Sequence, residues 1–169
     1  MQKADVELRP YHETDEPALL GLWHETKQHA YPYLPTEQSY TLETDTAFFR
    51  EHLAPAREIW VALASDAGRG SNSELLLGFM ALEGDYLDRL YVHPEQQRSG
   101  VGLKLLDKAK ALRAAGLELH THQQNVSACA FYEKHGFRPV RYGTSGPPES
   151  APDVLYRWRP TDARTIASG

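Results

Sequence analysis

Cysteine is nearly absent: Cys129 stands alone, so no internal disulfide can form and a small disulfide-framed secreted fold is excluded. Long apolar runs are missing as well, and nothing in the chain is long enough to cross a bilayer as a helix. The first ten residues, MQKADVELRP, are charged and carry no apolar stretch, so they do not read as a signal peptide. A cytoplasmic protein with no membrane partner is the expectation. Basic residues are in the minority, 18 lysines and arginines against 23 aspartates and glutamates, which leaves a formal net charge of -5. A nucleic-acid binder would need a basic face to neutralise phosphates, so no nucleic-acid partner is expected. The negative balance mildly favours a cationic or neutral ligand, but a modest charge of this kind more often only maintains solubility. No repeat or strongly biased tract appears.

What is present reads as an alternation of strands and helices within one domain over residues 1–160, followed by a flexible tail at 161–169. Val6 and Leu8 alternate with charged residues as a first strand that Pro10 closes. Ala18, Leu19, Leu22 and Trp23 recur at helical spacing between Thr14 and Gln28, with Thr14 or Asp15 as the cap. Residues 29–39, with Pro32 and Pro35, read as a loop, and a short helix through Ala47, Phe48 and Leu53 ends before Pro55. Strands follow at Ile59–Ala64, Leu75–Leu82 and Tyr86–Val92, the first two joined by a hairpin loop over 65–73. Val101, Leu105, Leu106, Ala109 and Leu112 form one apolar stripe on a helix that Gly116 closes. Leu117–Thr121 is a strand, Ser127–His135 a helix, and Pro139–Tyr142 and Val154–Trp158 are late strands. The fold class is α/β, a mixed sheet with helices on both faces.

The segment richest in chemistry is LDRLYVHPEQQRSGVG, Leu87 to Gly102. A strand ends at a proline, a polar loop follows, and Gly100 and Gly102 open an amphipathic helix. Glycines there let backbone approach a bulky ligand, and the free N–H groups and dipole of a helix start favour an anion such as a pyrophosphate. Gln97, Arg98 and Lys104 are placed to add polar contacts. The Walker pattern is absent, and the dinucleotide pattern fails because Leu105 occupies its third glycine position. Taken alone, the two glycines fit a bare strand-to-helix turn as well as a phosphate site.

The neighbouring residues carry a resemblance. Gln97-Arg98-Ser99-Gly100-Val101-Gly102 resembles the Q/R-x-x-G-x-G/A signature of the GNAT superfamily of acetyl-CoA-dependent N-acetyltransferases. Asn125 to Phe137, NVSACAFYEKHGF, is similar to that family's N-x-x-A-x-x-F/L-Y-x-x-x-G-F signature, and the two occur in the family's order. The likeness is clear from about Glu58 to Val140 and weaker over the first fifty residues. It implies a GNAT-like, mostly antiparallel sheet, with acetyl-CoA as co-substrate and an amine, small or on a protein, as acceptor. It also implies roles. Backbone of Leu90, Tyr91 and Val92 would pair with the pantetheine arm. Backbone N–H groups of Arg98, Ser99, Gly100, Val101, Gly102 and Leu103 would cradle the pyrophosphate. Asn125 would hydrogen-bond the arm, and Tyr132 would stand beside the thioester sulfur as general acid.

A neutral amine attacking a thioester needs a group to take its proton and one to serve the departing thiolate. A tyrosine is protonated at neutral pH and can donate. The candidate bases are Glu83, at the end of the strand before the turn, and His120, with His122 on the same side of its strand; a water chain is the alternative. No third ligand is spaced to join His120 and His122, so no metal is expected. Glu83, Asp85 and Asp88 hint at a cationic acceptor. Cys129 reads as a small buried residue of its helix. A non-catalytic acyl-CoA-binding sensor on the same fold is the competing reading, and a tyrosine at position 132 favours the enzyme.

Overall fold

The computed structural model describes residues 5–64 and 74–160, so the expected hairpin loop and tail lie outside the described residues. Strand β1 (Val6–Pro10) leads through a 3-10 turn into helix α1 (Glu16–Ala30). Asp15 does not cap that helix with its side chain, as the sequence led us to expect. Its carboxylate instead accepts from the His12 amide at 2.8 Å and from Arg9 at 2.7 and 2.9 Å. Arg9 thereby holds the Asp15 carboxyl below the usual aspartate range. The stretch expected to be a loop contains a short helix, α2 (Pro35–Ser39). Pro35 sits in its first turn, where a missing N–H costs nothing and a preset φ suits the helix. Helix α3 (Leu42–Phe48) is capped by Thr41, whose hydroxyl accepts from the Thr44 amide at 3.1 Å, and it runs on as a π turn to Leu53.

The remaining elements are β2 (Glu58–Ala64), β3 (Leu75–Glu83), β4 (Tyr86–Val92), α4 (Val101–Leu112), β5 (Leu117–His122), α5 (Val126–Lys134), β6 (Arg138–Thr144) and β7 (Pro152–Trp158). They form a seven-stranded sheet in the order β1-β2-β3-β4-β5-β7-β6. Every neighbouring pair is antiparallel except β4 and β5. One core, with Leu19, Trp23, Phe49, Val61 and Phe79, fills the α1 and α3 face; the other, with Met80, Leu105, Leu106, Leu119, Phe137 and Tyr156, fills the α4 and α5 face. Among the described residues no helix is long and apolar enough to cross a membrane.

Two irregularities position the site. The parallel pair β4–β5 consists of one register match, Tyr86 with Glu118, where the Glu118 amide donates to Asp85 O at 3.0 Å. No further pair follows, so the two strands part and leave a gap in the sheet. The second is a β-bulge in β4. Ala81 opposes Arg89 but Leu82 opposes Leu87, which leaves Asp88 without a partner. Leu87 and Leu90 both reach the α4-side core, so Asp88 and Arg89 lie together on the α1 side. A regular pleat would have turned Tyr86 to the other face. The bulge gathers Tyr86, Arg89 and Tyr91 on one side.

Candidate active site

The gap exposes one edge of β4. In an antiparallel ladder, successive residues turn their backbone groups alternately toward and away from the partner strand. The His93 amide donates to Leu77 O at 2.9 Å, on the β3 side. Tyr91, two residues earlier, shares that orientation, whereas Leu90 and Val92 present N–H and C=O to the gap. This corrects the expectation for Tyr91: its backbone belongs to the ladder, and its side chain is what it offers. Gly78 opposes Val92, and a Cβ there would stand 2.6 Å from Tyr91 O, so glycine is required for β3 to approach the end of β4 this closely.

At the mouth of the gap the chain turns into α4 through two left-handed residues, Arg98 at φ 65° and Gly100 at φ 94°. The second is the N-cap of α4 and supplies no side-chain cap. The amides of Val101, Gly102 and Leu103 therefore point outward without an intrahelical acceptor. Gln97 folds its side-chain amide back onto Val92 O at 3.2 Å, and the Ser99 hydroxyl donates to Gln96 O. These side chains hold the loop against the end of β4, leaving the backbone to face outward. A side-chain carbon at Gly102 would rest 3.6 Å from both Phe131 and Val92, so the two signature segments meet there. This fits acetyl-CoA: a strand edge with no partner strand, open at Leu90 and at the Val92 N–H while Val92 O is held by Gln97, then a nest of free amides. Asn125 caps α5, its Oδ1 accepting from the Ala128 amide at 3.2 Å, so the helix starts one residue earlier than the sequence suggests.

From the α4 and α5 face comes Tyr132, buried between Phe131, Phe137 and Tyr156 at ring separations of 5.2, 5.5 and 6.2 Å. Burial pushes its phenol well above the ordinary value of 10, and Tyr91, Cys129 and Tyr86 are close enough to add to the rise. The ring is both a core residue and the wall of the gap.

The α1 face holds the candidate bases. His120 is exposed, and its Nδ1 pairs with the Tyr86 hydroxyl at 2.8 Å. His122 lies deeper, its ring 5.1 Å from Tyr31 and 6.1 Å from Tyr33, with Nδ1 buried and unpartnered and Nε2 3.6 Å from Glu149. Burial lowers its pKa below the usual 6.5, so it stays neutral at pH 7. Glu83 sits apart at the β3–β4 hairpin, 58% exposed and 3.1 Å from Arg57. Asp88 is likewise held by Arg57 at 3.1 Å. Of the three acidic residues that hinted at a cationic acceptor, Glu83 and Asp88 are therefore answered by a cation of the protein. Sequence reasoning passed over Arg89, whose signal was a cation beside Asp88 inside the strand Leu87 to Val92, and over Tyr86 as the partner of His120. Among the described residues no group of three or more His, Cys, Asp or Glu is placed to hold a metal ion.

The aromatic segment after α1 is held in place by a buried charge cluster. Lys27 lies 2.6 Å from Asp45 and 3.3 Å from Glu37, and Asp45 also meets His24 Nδ1 at 2.7 Å. Three helices are thus joined beneath Tyr31 and Tyr33.

Residues 55–139 match the family model described as an acetyltransferase (GNAT) domain. The peptidyl-lysine N-acetyltransferase YjaB of Salmonella typhimurium is 29% identical over 130 residues, 77% of this chain and 81% of that protein. The peptidyl-lysine N-acetyltransferase YiaC of Escherichia coli is 27% identical over 134 residues, 79% of this chain and 84% of that protein. In fold, the chain is similar to the solution structure of apo YjaB from Escherichia coli, with a TM-score of 0.73 and 20% identity over 91% of this chain and 97% of that one. It is also similar to PaiA N-acetyltransferase from Thermoplasma acidophilum in complex with coenzyme A, with a TM-score of 0.67 and 21% identity over 92% of this chain and 99% of that one.

Proposed function

The chain belongs to the GNAT family and is an N-acetyltransferase, and from that premise we propose that it draws the acetyl group from acetyl-CoA held in the gap between β4 and β5 and passes it to a lysine ε-amine of a peptide or protein. The observation that carries the donor assignment is the open edge of β4, Leu90 and Val92, continuous with the free amides at the start of α4. The lysine acceptor follows the activity for which YjaB and YiaC are named. The proposed setting is the cytoplasm.

Bound acetyl-CoA supplies an electrophilic thioester; the amine forms the C–N bond as the C–S bond breaks. The residues contribute as follows. Leu90 and Val92 hold the pantetheine arm as an added strand, and the Val92 N–H polarises the carbonyl. Arg98 to Leu103 receive the pyrophosphate on their amides, with the exposed Arg98 side chain adding charge. Asn125 uses its Nδ2 group, since Oδ1 is committed to the helix cap. Tyr132 donates to the departing sulfur. His122 takes the amine's proton, or His120 does so together with Tyr86.

The test is release of free CoA thiol when the protein, acetyl-CoA and a lysine-containing peptide are mixed, with mass spectrometry of the peptide. A peptide gain of one acetyl group matched by thiol release is expected. Thiol release without peptide acetylation would remove the lysine acceptor, and tight binding of acetyl-CoA with neither product would leave only a sensor.

A further inference from the structure

Arg89 is the charged side chain that the proposed chemistry leaves unused, although it stands on the same side of β4 as Tyr86 and Tyr91. The bulge at Asp88 puts it there. Its guanidinium lies over Trp23, 6.0 Å from the ring centroid, with Tyr91, Asp88, Tyr31 and Tyr86 as its other electrostatic neighbours. Its Nε is buried and without a hydrogen-bond partner, yet the side chain as a whole is 29% exposed, so a molecule in the cleft can reach it.

Formal charge is balanced here: Arg57 and Arg89 face Glu83 and Asp88. Hydrogen bonding is not. Arg57 takes the good geometry, with Glu83 and Asp88 each at 3.1 Å. Arg89 keeps Asp88 O at 3.3 Å and the far carboxylate oxygen at 3.7 Å, beyond a hydrogen bond. A guanidinium carries five N–H donors in a planar fork that matches a carboxylate bidentately. Burying the Arg89 Nε–H with no acceptor costs free energy unless a ligand meets it.

We propose that Arg89 is a specificity-determining residue that binds a carboxylate carried by the acceptor, so the preferred amine belongs to a molecule with an anionic group a few bonds away. This rests on the acetyl-transfer reading above and narrows its acceptor. The carboxylate has two sources of the same chemistry: the α-carboxylate of a free or C-terminal lysine, or an Asp or Glu side chain beside an internal lysine. Tyr31 and Tyr33, on the segment after α1, cover the aliphatic part of such an acceptor.

The experiment uses the full chain with acetyl-CoA and matched acceptors. Nα-acetyl-lysine and Nα-acetyl-lysine amide differ only in the carboxylate. Two internal-lysine peptides with amidated C-termini, one with Glu and one with Gln beside the lysine, test the second source. Losing a charge-assisted hydrogen bond costs about 10- to 100-fold, so kcat/KM is expected to favour one carboxylate-bearing member of a pair by at least about tenfold. Which pair shows the preference identifies the source. Arg89→Met is expected to abolish the preference while coenzyme A affinity stays within about twofold, and Arg89→Lys to keep part of it. A binding readout stands apart from catalysis. The Arg89 Nε–H nuclear magnetic resonance signal, assigned by its loss in Arg89→Lys, should shift saturably with the preferred carboxylate and not with its neutral partner in the coenzyme A complex. Equal kcat/KM within both pairs, a preference that survives Arg89→Met, or an Nε–H signal indifferent to every carboxylate would overturn the proposal. Equal turnover within both pairs would leave acetyl transfer standing. Failure of every amine to react, with the Nε–H signal still responding to a carboxylate, would instead sink the catalytic reading and keep the site.

Discussion

In the proposed mechanism Tyr132 serves the departing sulfur and His122 takes the amine's proton, and burial acts on the two in opposite senses. The Tyr132 phenol is pushed well above 10, whereas a thiol of ordinary acidity titrates near 8.5. Full proton transfer from this phenol to a thiolate is therefore uphill, and Tyr132 serves best as a hydrogen-bond donor while the C–S bond lengthens. Tyr132→Phe keeps the ring among Phe131, Phe137 and Tyr156, so folding should be retained. We expect kcat to fall about 10- to 100-fold, at or below the lower end for general-acid assistance, with acetyl-CoA affinity nearly unchanged; steady-state kinetics beside a binding titration measures both. A wild-type kcat would remove the hydroxyl from the chemistry. His122 is kept neutral by desolvation, which suits a proton acceptor. The folded state binds this proton less readily than the unfolded chain. Its contribution to stability is thus present above the ordinary value of 6.5 and is lost as pH falls through that value and the lower folded one. His122→Gln should therefore lower kcat/KM, remove the acid limb of the pH–rate profile below 6.5, and flatten the fall in stability over the same range. If His120→Gln removes the limb instead, the exposed pair with Tyr86 is the base.

Among the elements, the turn into α4 makes the sharpest demand on residue type. Gly100 lies in the left-handed region, where a side chain costs about 1–2 kcal/mol. A side-chain carbon at Gly102 would meet its neighbours at ordinary contact distance. Gly100→Ala should let the free loop relax out of its binding shape and weaken acetyl-CoA about tenfold, since about 1.4 kcal/mol corresponds to one decade. Gly102→Ala should stay within about twofold on the same scale. Calorimetric titration distinguishes them, and equal losses would show that crowding at the ligand, not backbone strain, governs the turn. This part of the site was legible because glycine spacing and helix periodicity are local signals. So were the strands, signalled by the alternation of Val6 and Leu8 with charged residues in β1 and by the continuous apolar runs of β2 and β3. The bulge at Asp88 was not: no residue type marks it, and it exists only as a register difference between Ala81 and Leu82. With it the shared face of Tyr86, Arg89 and Tyr91 was also invisible. The pairing of Tyr86 with His120 joins residues 34 apart across the parting strands, and such a contact depends on topology. The short α2 was hidden because Pro35 reads as a breaker until it is known to lie in a first helical turn.

Over the whole molecule, strands β1 to β4 form one sheet portion and β5 to β7 another, with the gap at their border. A ligand spanning that border binds the native state alone. At about one hundred times its dissociation constant it adds about 2.7 kcal/mol, which for a domain of this size corresponds to about 5–10 °C in Tm. Acetyl-CoA should produce that rise in a thermal melt, and NAD or ATP at equal concentration much less; an equal shift with NAD would discard the donor assignment. The single bridge at Tyr86 and Glu118 also has a mechanical meaning. It acts as a pivot, and Val92 stands about 20 Å away at the end of a six-step lever. Turning one portion against the other by about 5° moves that end by about 2 Å, while a misplacement of about 1 Å can cost a hundredfold in rate. A small change at the hairpin, where the Asp85 carbonyl meets the Glu118 amide, is therefore amplified at the far end of β4.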